Sequence, residues 1–97
     1  MKWVRYVASQ RGSHYDIGLS AGRALPDSIA ANVDLFWEGV AAAGLSRDEL
    51  LACTYADEAR LPSKLREEIR GLAEGSGRMY RELLAYNLYR GGLACDC

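Results

Sequence analysis

One stretch of this chain reads as a β-strand, and little else in the sequence offers it a partner. Trp3-Val4-Arg5-Tyr6-Val7 is rich in β-formers, and Gly12-Ser13 ends the segment. A lone strand leaves its backbone N–H and C=O groups unpaired. The tail is the one internal candidate, so the pattern points to a sheet supplied by another polypeptide.

From Ser13 to about residue 90 the chain has helical spacing, and Leu93-Ala94-Cys95-Asp96-Cys97 follows as an extended tail. Ser13 or Asp16 is placed to cap a helix over about residues 15–25. Gly18 and Gly22 lie inside it, four apart and on one face. Each costs about 1 kcal/mol against alanine, so either they are tolerated in a marginal helix or they let another element come close. Pro26 suits the first turn of a second helix. Ile29, Val33, Phe36, Trp37 and Val40 then form an apolar stripe that Gly44 terminates. Ser46-Arg47-Asp48-Glu49 is a capping box opening a third helix to about Ala59. Leu61-Pro62-Ser63 breaks it and opens a fourth, with Leu65, Ile69, Leu72 and Ala73 inward. Gly75-Ser76-Gly77 is the strongest punctuation in the chain. A last helix carries Tyr80, Leu83, Leu84, Asn87 and Leu88 on one face and ends at Gly91-Gly92. No repeat or low-complexity segment is present.

With 97 residues, 1–97 is one small domain, 49% apolar, whose stability depends on a partner or staples. The net charge is −1 with both signs mixed, so no basic stripe exists to meet nucleic acid. No segment approaches the roughly 20 apolar residues of a membrane span, and the start lacks the apolar run of a secretory signal. Cys53, Cys95 and Cys97 then read as free thiols in a reduced, cytoplasmic setting.

Few residues carry a chemical signal by type and spacing. His14 is the sole histidine; no nucleophile is pinned beside it, and it reads as a solvated loop or helix-start residue rather than a general base. Cys95-x-Cys97 has the wrong spacing for half of a structural zinc site, though a metal-binding or redox peptide is a third reading of the chain. Cys53 reads as a small apolar core residue. Glu67, Glu68 and Glu74 are interleaved with Lys64, Arg66 and Arg70, which suggests a solvated, salt-bridged face. Trp3, Trp37 and the six tyrosines fall at core spacing. On these grounds alone the chain is a mainly helical, partner-dependent domain.

Three segments in order resemble a known family. Gly12-Ser13-His14-Tyr15-Asp16-Ile17-Gly18-Leu19-Ser20-Ala21-Gly22 resembles a glycine-spaced entry into a helix. Leu61 to Gly77, with Glu67-Glu68-Ile69-Arg70-Gly71-Leu72-Ala73-Glu74-Gly75-Ser76-Gly77 at its heart, is the most specific. Leu83-Leu84-Ala85-Tyr86-Asn87-Leu88 resembles a helix that precedes a cleavage site. Together they are similar to the acyl-coenzyme A:6-aminopenicillanic acid acyltransferase family (C45 peptidases) of N-terminal-nucleophile hydrolases.

The resemblance implies an inactive precursor that cuts its own backbone beside a cysteine, which then begins the large subunit. The implied fold is α+β, a four-layer αββα sandwich formed with that subunit. This chain would contribute a mainly helical part and an edge strand at about residues 3–9. Aligning the tail puts Cys97 at the cut, as nucleophile or as the residue supplying the scissile carbonyl. A nucleophile that uses its own amine must begin a chain, so cleavage after Cys97 is the preferred register; Asp96 stands where the family commonly has glycine. A thiol of pKa about 8.5 paired with an α-amine of pKa about 8 on the same residue is a matched nucleophile and base. Tyr6 or Trp37 would be candidates to line a pocket. The implied partners are the large subunit from the same precursor and a small acyl amide or thioester. No resident cofactor is implied, a coenzyme A thioester being a substrate, and a role in natural-product tailoring follows by resemblance. The contrasting reading is a non-catalytic helical adaptor that docks a protein through its apolar faces.

Overall fold

The structure is a computed structural model that describes residues 13–90. Five α-helices fill that span: α1 (His14–Ala24), α2 (Pro26–Ala42), α3 (Arg47–Asp57), α4 (Ser63–Ser76) and α5 (Tyr80–Tyr89), with a 3₁₀ turn Glu58–Arg60 after α3. Among the described residues there is no strand. The expected edge strand and the cysteine-bearing tail lie outside them.

Local chemistry sets each boundary. Ser13 caps α1 in a full capping box: its hydroxyl accepts from the Asp16 N–H at 3.1 Å, and the Asp16 carboxylate accepts from the Ser13 N–H at 3.4 Å. α2 starts on Pro26 and ends in a Schellman turn. Gly44 is left-handed there, with φ 78°, while the Leu45 N–H reaches the Val40 carbonyl at 3.0 Å and the Gly44 N–H that of Ala41. Ser46 caps α3 through the Glu49 N–H, so the serine half of the expected box forms. Gly77, with φ 77°, closes α4.

The stripe on α2 is buried as its spacing requires: Ile29 and Val33 are fully covered, and Phe36 and Val40 nearly so. Two apolar clusters result. One gathers Ala21, Ile29, Val33, Ile69, Leu72, Ala73, Leu83 and Leu84. The other gathers Phe36, Val40, Leu50, Cys53, Ala85 and Tyr89. Helix α5 belongs to both, because Leu83 and Leu84 face one cluster while Ala85 and Tyr89 face the other. The apolar stripe Leu83, Leu84 and Leu88 read from the sequence follows only the first of these faces.

Helices α1 and α4 lie against each other through glycine. A Cβ built on Gly18 would sit 1.9 Å from the Glu68 carbonyl oxygen, and one on Gly71 2.2 Å from that of Tyr15. A Cβ on Gly75 would lie 2.4 Å from the Leu19 oxygen, and one on Gly22 2.7 Å from that of Leu72. The glycine pair of α1 is thus interlocked with a pair of α4 at the same spacing, backbone on backbone. This decides between the two sequence readings of Gly18 and Gly22: they exist for close approach. It also corrects the reading of Gly75, which is not punctuation but an interior residue of α4; the helix ends one residue after it.

Cys53 occupies the buried position expected of it, but it is disulfide-bonded rather than a free thiol.

Gly39, by contrast, is exposed on α2, and a Cβ there meets nothing. Gly39→Ala should therefore stabilise the domain by about 1 kcal/mol. Gly18→Ala and Gly71→Ala should each destabilise it, at or beyond the upper end of the roughly 1–3 kcal/mol typical of overpacking. The double variant should cost less than the sum, since helices pushed apart once admit the second methyl. Urea denaturation followed by circular dichroism reads all four.

Candidate functional site

Cys97, the residue on which the resemblance converges, lies outside the described residues, as do Cys95, Trp3 and Tyr6. The structure describes the helical body that leads to it. Helix α5 is followed directly by Arg90, seven residues before Cys97, a distance the chain can span by at most about 25 Å.

Within the body, the ionisable side chains form three groups. The most buried centres on Glu82 of α5. One of its oxygens accepts from the Trp37 indole N–H at 3.0 Å and lies 3.2 Å from both the Arg78 and Arg47 guanidinium groups. Arg78 also reaches Asp34 at 3.0 Å, and Arg47 covers the Trp37 ring at 4.7 Å. Helices α2, α3 and α5 are thereby joined at one carboxylate. Three donors on that oxygen make this a structural anchor rather than a free base.

A second group lines the junction of α3 and α5. The Tyr80 hydroxyl donates to Glu58 at 2.6 Å, and Arg81 donates to the other Glu58 oxygen at 3.1 Å. Arg81 also reaches the Thr54 hydroxyl at 3.3 Å and stacks over Tyr55 at 3.9 Å. Burial, and then the hydrogen bond to Glu58, push the Tyr80 phenol up to about 12, while the same bond holds the Glu58 carboxyl below its ordinary range. Beside Glu58, the Asp57 carboxylate accepts from the Tyr89 hydroxyl at 2.6 Å. That bond, helped by Arg60, holds the Asp57 carboxyl low.

The third group borders the glycine interlock. His14 Nδ1 lies 2.6 Å from Glu68, and Tyr15 donates to Glu74, which raises the Tyr15 phenol. Two of the three carboxylates read as a solvated face are therefore interhelical contacts. His14 does stand at the helix start, as expected, but it is paired rather than merely solvated. Among the described residues no hydroxyl or thiol joins the His14–Glu68 pair, which makes it a clamp between α1 and α4.

Among the described residues no three His, Cys, Asp or Glu side chains are grouped to hold a metal, and no helix is long and apolar enough to cross a membrane. Sequence reasoning passed over Glu82, Asp57 and Arg81. A signal for the first was present: Glu82, Ala85 and Tyr89 follow at i, i+3 and i+7, a second inward face of α5. Comparisons with family models, with curated proteins and with solved structures find no match.

Removing the anchor should be costly. Glu82→Ala leaves the Trp37 N–H and the Arg47 guanidinium without their acceptor and Arg78 with Asp34 alone. Arg47 is half exposed and can rehydrate, so the loss should be about 1–3 kcal/mol rather than that of a fully buried pair. Thermal melting with tryptophan fluorescence checks it.

The Tyr80–Glu58 bond predicts a stability profile with two shoulders. A phenol whose folded pKa is raised contributes stability below pH 10, which is lost as pH rises toward about 12. A carboxyl whose folded pKa is lowered contributes stability above its ordinary range, which is lost as pH falls through the lowered value. Tyr80→Phe should shrink both shoulders, read as melting temperature against pH. It should also remove one late-titrating phenol from the ultraviolet titration.

Proposed function

We propose that this chain is the small subunit of a self-cleaving cysteine N-terminal-nucleophile amidohydrolase or acyltransferase, of the acyl-coenzyme A:6-aminopenicillanic acid acyltransferase type. The observation that carries this reading is how the resembling segments are used. Gly12 to Gly22, where described, is α1. Leu61 to Gly77 contains α4, and Leu83 to Leu88 lies in α5. These helices stack in that order, α1 on α4 and α4 on α5. Gly18, Gly22, Gly71 and Gly75, four glycines of the two longer segments, are the contact residues of the interlock. Two of the three resembling segments thus belong to one packing device, a physical reason for their joint occurrence.

In this reading the body is scaffold and the chemistry lies at the end of the segment that follows α5. The nucleophile is Cys97 or the residue after it. Its thiol attacks an acyl amide or thioester carbonyl, its own α-amine takes the thiol proton, and the large subunit supplies the donors for the oxyanion. No described cluster competes for the role: the buried carboxylates of Asp57 and Glu82 are each held by hydrogen bonds, and the one histidine is clamped to Glu68.

The test is intact mass, under denaturing conditions, of protein expressed together with its natural downstream sequence. The expected result is a small chain near 10.7 kDa and a stoichiometric larger one beginning with Cys, Ser or Thr. Cys97→Ala should abolish the cut if Cys97 is the nucleophile and leave it intact if the next residue is. A single uncut species from the unsubstituted gene would overturn the reading and leave the helical adaptor as the better account.

A further inference from the structure

The sequence interleaves Glu67, Glu68 and Glu74 with Lys64, Arg66 and Arg70, but the fold sorts these charges across α4. Glu68 and Glu74 turn to α1, where His14 and Tyr15 take them. Arg66 and Arg70, one turn apart on a single face, turn toward α5 and the 3₁₀ segment. The Arg70 guanidinium lies 4.7 Å over the Tyr80 ring. The Glu58 carboxyl is held low by its bond from Tyr80 and, beyond that, by the charges of Arg81 and Arg66. Among the described residues neither Arg66 nor Arg70 closes an ion pair, and the Arg66 Nε is buried with no hydrogen-bond partner. A buried donor left unmatched requires an explanation, and two like charges a turn apart repel.

A third guanidinium completes the cluster. Arg81 of α5 lies 5.8 Å from the Tyr80 ring and 3.9 Å over Tyr55, held by the Thr54 hydroxyl at 3.3 Å and Glu58 at 3.1 Å. Glu58 is the carboxylate bonded within the cluster, and its neighbour Asp57 is occupied by Tyr89 and Arg60. Three positive charges against that of Glu58 leave a surplus of two, in a chain whose net charge is −1.

We infer that the surface formed by α4, α5 and the 3₁₀ segment binds a small phosphomonoester, its phosphate held by Arg66, Arg70 and Arg81. This inference is independent of the functional reading above. Charge selects the group: a phosphomonoester carries about −1.5 to −2 at pH 7, which matches the surplus, whereas a carboxylate matches half of it. Donor chemistry agrees, since guanidinium forks meet phosphate oxygens in pairs. Arg70 and Arg81 are already laid on tyrosine rings, so little side-chain freedom remains to be lost on binding. Tyr55, 73% exposed, leaves ring surface beside Arg81 for the organic part of the ester.

The experiment is isothermal titration calorimetry at neutral pH on the chain expressed with its natural downstream sequence, at ionic strength held constant with sodium chloride. Inorganic phosphate should bind at one site, and acetate should bind weaker by about tenfold or more. Phenyl phosphate, with a ring to lay on Tyr55, should bind more tightly than inorganic phosphate. Arg66→Gln and Arg70→Gln should each weaken phosphate binding by about tenfold. Neither arginine closes an ion pair, so their circular dichroism should be unchanged. Arg23→Gln removes the same charge from an exposed position on α1 and should leave the affinity as it was. Four results overturn the inference: no heat beyond that of sodium chloride, acetate binding as well as phosphate, an equal loss of affinity in Arg23→Gln, or unaltered affinity in both Arg66→Gln and Arg70→Gln. Phenyl phosphate binding no more tightly than inorganic phosphate overturns it as well, because the site would then be one for a bare ion.

Discussion

The contact on which the described structure depends is the meeting of two helix backbones without side chains between them. Glycine in a helix interior costs about 1 kcal/mol against alanine, and α1 and α4 each carry two on their shared face. Neither helix is long, and neither would hold its shape alone in water. What offsets the cost is proximity. With no Cβ in the way, the carbonyl oxygens of Tyr15, Leu19, Glu68 and Leu72 come against the opposite glycines, where dispersion and weak Cα–H···O contacts accumulate. The flanking His14–Glu68 and Tyr15–Glu74 bonds then fix the sliding register of the two helices.

Helix α5 organises the other half. It presents leucines to one apolar cluster and Ala85 and Tyr89 to the other, and between them it carries the Glu82 carboxylate that α2 and α3 both grip. Apolar packing sets how near those helices come. The directional bonds from Trp37, Arg47 and Arg78 set how they are turned. A short domain has little core to spare, so a satisfied buried carboxylate is a means of choosing one arrangement among several that would bury similar area.

The helices themselves were plain in the sequence. Ser13, Pro26, Gly44, Ser46 and Pro62 are local signals, and each acts at the position where it was read. What local reasoning could not see was pairing. Gly18 and Gly22 admitted two accounts because the second half of the interlock sits in a distant helix. Gly75 was mistaken for an end because it stands beside Gly77, which is one. Glu68 and Glu74 looked like a solvated face because their partners, His14 and Tyr15, are far away in sequence. The disulfide of Cys53 was likewise hidden by distance. As for the chemical site, Cys97 was singled out by resemblance alone and lies outside the described residues.

His14 and Glu68 are 54 residues apart. The interlock therefore joins the first described helix to the fourth across almost the whole intervening chain. Closing a loop of that length costs about 3.5 kcal/mol beyond a constant, and no fraction of the interlock forms until it is closed. Helices α2 to α5 can gather through nearer contacts first, leaving α1 to dock last. On a ribosome the order is reversed: of the described helices α1 emerges earliest and must wait, with its glycine face exposed, until α4 is synthesised. The domain thus has a built-in delay between making that helix and using it, a delay set by the spacing of two glycine pairs.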